Sequence, residues 1–118
     1  MSRLLLKPRY WYAAEFYDEA FGDELRSYSP IKVNNVIPKG GRKFHLDFYH
    51  ANYPSGVQNK GYDLQTIERN KHFIFAQSLG NSPRLLLIYP ITFDWLNQHF
   101  NLDTRSDLAI HEWLNLNV

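Results

Sequence analysis

A chain of 118 residues with 44% hydrophobic and 21% charged residues has the make-up of one globular domain, 1–118, able to bury a core without staples. Cysteine is absent, which excludes a disulfide framework, a thiolate zinc site and a cysteine nucleophile, and agrees with a cytoplasmic protein. The Leu4-Leu5-Leu6 run falls far short of the ~18 apolar residues of a membrane span, so the expectation is a soluble protein with no membrane partner.

The net charge of +1 is unevenly spread. Residues 9–28 carry five acids against Arg9 and Arg26, and residues 72–118 carry four acids against Arg84 and Arg105. Between them, residues 29–71 carry seven bases against Asp47, Asp63 and Glu68. Either the acidic flanks fold over the basic middle and neutralise it, or the middle is kept for a partner.

In chain order, Arg3 to Lys7 reads as a short strand stopped by Pro8. Tyr10, Ala13, Ala14, Tyr17, Ala20 and Phe21 then fall at helical spacing, which predicts a helix ended by Gly22, although the aromatic density of Tyr10 to Tyr12 also permits a strand. Ile31 to Ile37 is a strand, and Pro38-Lys39-Gly40-Gly41 reverses it into a central strand over Lys43 to Tyr49. There Phe44, Leu46 and Phe48 point into a core and Lys43, His45, Asp47 and Tyr49 point away from it. Ala51 to Gly61, with Pro54, Gly56 and Gly61, reads as a long loop.

Tyr62 to Ile67 and His72 to Ser78 form a second hairpin, with a helix over Asp63 to Asn70 as the competing reading. Gly80-Asn81-Ser82-Pro83 turns the chain into Arg84 to Tyr89, apolar enough to be an inner strand buried on both faces. Thr92 caps a helix over Phe93 to Phe100, and Thr104 with Asp107 caps another over Arg105 to Leu116.

This order predicts an α+β fold: an antiparallel sheet of three to five strands with an N-terminal helix and two C-terminal helices packed against it. Phe44, Leu46, Phe48, Phe73, Phe75, Leu86 and Ile88 make its core. A five-stranded meander curled into a partly open barrel is the alternative.

Three chemistries are open to such a domain. His45, Asp47 and His50 form an H-x-D-x-x-H cluster, in which two residues at i and i+2 on a strand converge on one metal or one substrate proton. His45 or His72 beside Lys43, Arg69 or Lys71 has the parts of a metal-independent ribonuclease. Secondly, Lys39, Arg42, Lys43, Lys60, Arg69 and Lys71 interleave with Phe44, Tyr49, Tyr53 and Tyr62, the cations and stacking faces that single-stranded RNA or DNA requires. Thirdly, eight tyrosines and three tryptophans exceed what a core this size needs, and such residues dominate protein interfaces.

No serine nucleophile motif, phosphate loop or dinucleotide fingerprint is present. The reading that fits best is a small macromolecule-binding module for a protein partner, of inhibitor, immunity or accessory-subunit type, with no cofactor and no catalytic residue. Single-stranded nucleic-acid binding comes second, and a ribonuclease or metal-dependent hydrolase at His45, Asp47 and His50 third. The expected binding residues are Lys39, Arg42, Lys43, Lys60, Arg69 and Lys71, with Tyr49, Tyr53 and Tyr62 and the cluster His45, Asp47 and His50.

Overall fold

The computed structural model describes residues 5–52, 56–80 and 83–100. They form six antiparallel strands: β1 (Trp11–Ala20), β2 (Asp23–Gly40), β3 (Lys43–Asn52), β4 (Gly56–Arg69), β5 (Ile74–Ser78) and β6 (Leu85–Pro90). Each pairs with the next, and β6 pairs with β1 from Tyr12↔Pro90 to Tyr17↔Leu85. The sheet is therefore a closed barrel in which every strand has two neighbours. One short helix, α1 (Phe93–Phe100), lies against its outside. Among the described residues, no helix is long and apolar enough to cross a membrane.

This corrects the α+β expectation: the fold is all-β, and the barrel has six strands and is closed. The segment read as an N-terminal helix is β1. Trp11, Tyr12, Ala13 and Ala14 are all buried, Tyr12 and Ala14 inside the barrel and Trp11 and Ala13 beneath α1. A strand covered on both faces loses its period of two, so its apolar residues can imitate helical spacing. The competing helix over Asp63 to Asn70 does not form either, because those residues up to Arg69 belong to β4. Leu5 to Lys7, in the segment read as a first strand, carry no strand. Instead the Lys7 amide donates to the Tyr12 hydroxyl (2.9 Å), which donates to the Leu5 carbonyl (3.1 Å). The helix read over Arg105 to Leu116 lies outside the described residues.

Most of the loop read over Ala51 to Gly61 is ladder, since β3 and β4 pair down to Asn52↔Gly56. β2 is long because it serves two partners: Asp23 to Lys32 pair with β1 and Ile31 to Gly40 with β3. Tyr12, Phe16, Ile31, Val33, Leu46, Phe48, Leu64, Ile74, Leu86 and Ile88 fill the barrel. Phe73 and Phe75 were expected there and are only half-buried. In β5 it is Ile74 and Ala76 that face inward, and Phe75 packs edge-to-face on Tyr17 with ring centres 6.0 Å apart. Both faces of that segment are apolar, which leaves its phase ambiguous.

Alternating hairpins sort the charges. The turns at 40–43 and 69–74 and the segment entering β1 share one end of the barrel, bringing Lys39, Arg42, Lys43, Arg69 and Lys71 together with Lys7 and Arg9, all exposed. The β1–β2 turn lies at the other end with Asp18, Glu19, Asp23 and Glu24. Acids 18–24 are therefore held at the end opposite Lys39, Arg42, Lys43, Arg69 and Lys71.

Candidate binding site at the basic end of the barrel

Gly40 pairs with Lys43 across the two-residue loop Gly41-Arg42, and Gly41 sits at φ 58°, a left-handed conformation that suits the first position of such a turn. The Thr66 amide donates to the Arg42 carbonyl (2.9 Å), fixing this turn against β4. A bulge between Thr66 and Glu68 then shifts the phase of β4, so that Arg69 lies opposite the inward Ile74. The result is a cavity of about 530 Å³ in the barrel mouth. Leu6, Val36, Phe44 and Ile74 form its apolar floor, and Arg42, Lys43 and Arg69 stand at its rim. Among the described residues, Arg42 and Lys43 make no ion pair. Such a mouth can hold an anionic group at the rim and an apolar body beneath it.

Of the residues singled out in the sequence, the structure brings Lys39, Arg42, Lys43, Arg69 and Lys71 to this end. Lys60 pairs with Phe48 on the side away from it. Tyr62 is inside the barrel against Phe48, ring centres 5.7 Å apart, and burial pushes its phenol pKa up. Tyr49 is exposed on the outer wall. Tyr53 and the His50 side chain lie outside the described residues. Of the described aromatics named with them, only Phe44 therefore joins the bases at this end; Tyr49 and Tyr62 do not. Leu5, Leu6, Ile67 and the flanking Lys7 and Arg9 were not anticipated here. The run Leu4-Leu5-Leu6 followed by two bases was their only trace, whereas nothing local announces the bulge that turns Arg69.

His45 faces outward from β3, as its alternation requires, between two carboxylates: Nδ1 is 2.7 Å from Asp63 and Nε2 is 2.9 Å from Asp47. Asp63 first, then Asp47, raises the His45 pKa above its ordinary value, which favours the doubly protonated form, the one in which the ring donates to both carboxylates. Room for this comes from Gly61, where an added Cβ would stand 2.7 Å from the Asp47 carboxylate. In the doubly protonated form the ring has no lone pair to offer a metal or a substrate proton, and the arrangement ties β3 to β4. Among the described residues, no group of three or more histidines, cysteines or acids is placed to hold a metal ion. Asp63 reaches His45 through the β3–β4 register, which H-x-D-x-x-H spacing does not contain.

Among the described residues, much of the aromatic content is packed rather than displayed, Tyr10 and Tyr49 being exposed. Tyr12 and Tyr62 lie in the barrel, while Trp11, Tyr28, Tyr89 and Trp95 pack together beneath or within α1. Comparison with protein-family models, with curated proteins and with solved structures finds no match to the chain.

Proposed function

We propose that the protein is a binding module rather than an enzyme, and that its basic barrel end receives an acidic segment of a protein partner. The observation that carries this reading is the grouping of Arg42, Lys43 and Arg69 around an apolar-floored cavity of about 530 Å³. Cations at a rim choose and steer an acidic partner, while the floor rewards one apolar side chain that leaves water. Single-stranded nucleic acid fits less well, because it needs a row of open aromatic faces beside the cations. At this end Phe44 is half-buried in the cavity wall, and Tyr10, half-exposed with the Lys7 ammonium 5.7 Å from its ring centre, does not by itself make such a row.

The test is a titration of labelled acidic peptides carrying one Phe or Leu, and of single-stranded oligonucleotides, at low and high salt. The parent should bind the peptides more tightly than the oligonucleotides, and Arg42→Glu with Lys43→Glu should weaken peptide binding by about tenfold or more. Tighter binding of the oligonucleotides, or peptide binding indifferent to the double reversal, would overturn the reading.

A further inference from the structure

The end of the barrel opposite the cavity carries its counterpart. β6 pairs with β1 only as far as Tyr17, and β3 pairs with β2 only from Ile31, whereas β1 and β2 continue together through Asp18↔Leu25, Glu19↔Glu24 and Ala20↔Asp23. Residues 18–25 therefore form a two-stranded arm that projects beyond its neighbours. At its tip, Phe21 and Gly22 make a two-residue turn with φ of 53° and 83°. Asn, Asp or Gly normally occupies the first of those positions, since a bulky side chain there is strained. Phe21 is nonetheless present, and at 106% relative exposure it touches little else.

Around this ring stand acids in an arrangement that costs the arm stability. Glu19 and Glu24 are directly opposite one another, a pairing that repels; of the two, Glu24 is reached by Arg84 (2.9 Å) and by Arg26 (3.8 Å), which it shares with Glu15 (3.8 Å). A strained aromatic tip and a concentrated acidic collar both break local rules for a stable hairpin, the pattern expected where a segment is kept for a contact.

We propose that the Phe21 tip of one copy enters the basic cavity of a second copy. This deepens the preceding section and rests on its reading of the cavity as a receptor for an acidic, apolar segment. The complementarity is specific: a phenyl ring meets the floor of Leu6, Val36, Phe44 and Ile74, and Glu19 and Asp23 beside it meet Arg42, Lys43 and Arg69. A cavity of about 530 Å³ is within the range of small-ligand sites and has room for one such ring. Arm and cavity lie at opposite ends of a molecule extending 43 × 39 × 24 Å, so a copy cannot fill its own cavity. The contact is heterologous, and copies add head to tail unless the rotation closes a ring.

The test is sedimentation velocity with light scattering on the full chain, from micromolar up to roughly 1 mM, at low and high salt. The parent should show a mass above 14.0 kDa that rises with concentration and falls as salt is added. Phe21→Asn, which suits the turn and so preserves folding, should remain at the monomer mass; Arg42→Glu with Lys43→Glu should do the same. An equal mixture of the two variants keeps one arm and one cavity able to meet, and should stop at twice the monomer mass. A parent monomeric throughout at low salt, a Phe21→Asn protein that assembles like the parent, or a mixture that grows past the dimer would each overturn the proposal. If the peptide titration succeeds and these measurements fail, the cavity serves a different acidic protein; if both fail, the cavity reading falls with it.

Discussion

On the outer wall made by β1, β2 and β6, the residues Trp11, Ala13, Tyr28 and Tyr89 lie against Trp95 and Leu96 of α1, whereas on the wall of β3 and β4, Lys43, Asp47, Tyr49 and Asp63 meet water. Each wall holds a carboxylate network, and the two differ in what keeps them together. Under α1, the Glu15 side chain is only 13% exposed, and a carboxylate taken from water is costly unless its oxygens are bonded. Tyr17 (3.0 Å) and Tyr89 (2.6 Å) donate to it, and Trp95 Nε1 donates in turn to Tyr89 (2.6 Å). Burial, and then the Glu15 acceptor, push the Tyr89 pKa up, so this phenol stays a donor. On the other wall, Asp47 and Asp63 already have water and gain little from His45 beyond orientation. Removing a residue from the covered wall should therefore cost several times more than from the bare one.

The largest expected effect is that of Trp95→Ala. It removes the indole that α1 buries against Trp11 and Ala13, and leaves the Tyr89 hydroxyl with one partner fewer. The loss should be about 3 kcal/mol or more in urea denaturation, within the usual range for a buried Trp. A loss below about 1 kcal/mol would mean that α1 contributes as little as the wet wall, and the contrast between the walls would fail.

Gly61→Ala probes the bare wall at its tightest point. The new Cβ would stand 2.7 Å from the Asp47 carboxylate and 3.1 Å from His45 Nε2, both ends of side chains able to swing outward. The wall should yield, costing no more than about 1 kcal/mol, while His45 loses Asp47 and its pKa drops towards the ordinary value near 6.5. A cost near that of Trp95→Ala would show the β3–β4 tie to be as firmly held as the covered network.

The same contrast explains what could be read in the chain beforehand. β3 has one wet and one dry face, so Phe44, Leu46 and Phe48 alternate cleanly with His45, Asp47 and Tyr49, and which residues point inward was legible. β1 is dry on both faces because α1 covers it, and that burial is a tertiary fact absent from any window of the sequence. The α1 start was legible because capping is local: the Trp95 amide donates to the Thr92 hydroxyl at 3.1 Å. For the basic end, the residues were visible and their neighbours were not. Arg42 lies in a recognisable turn and Lys43 follows it, but Arg69 joins them only through a bulge, and Leu6 only through closure of the barrel. Asp63 escaped attention for the same reason, since a partner across a ladder is set by register rather than spacing.

The smallest effect is the most specific, because it has a pH signature. Asp63 is the largest cause of the raised His45 pKa, so Asp63→Asn should bring that pKa down, as followed by NMR titration of the ring protons. A folded-state pKa above the unfolded value near 6.5 means that the imidazolium tie contributes fully below about pH 6.5 and is lost as pH rises through the raised value. Asp63→Asn should therefore be less stable than the parent at about pH 5.5, by under about 1 kcal/mol for so exposed a pair, with the difference shrinking by about pH 8.5. Equal destabilisation at the two pH values would show that Asp63 supports the wall by packing or by its own hydrogen bonding, and that the charge on His45 adds nothing to the tie.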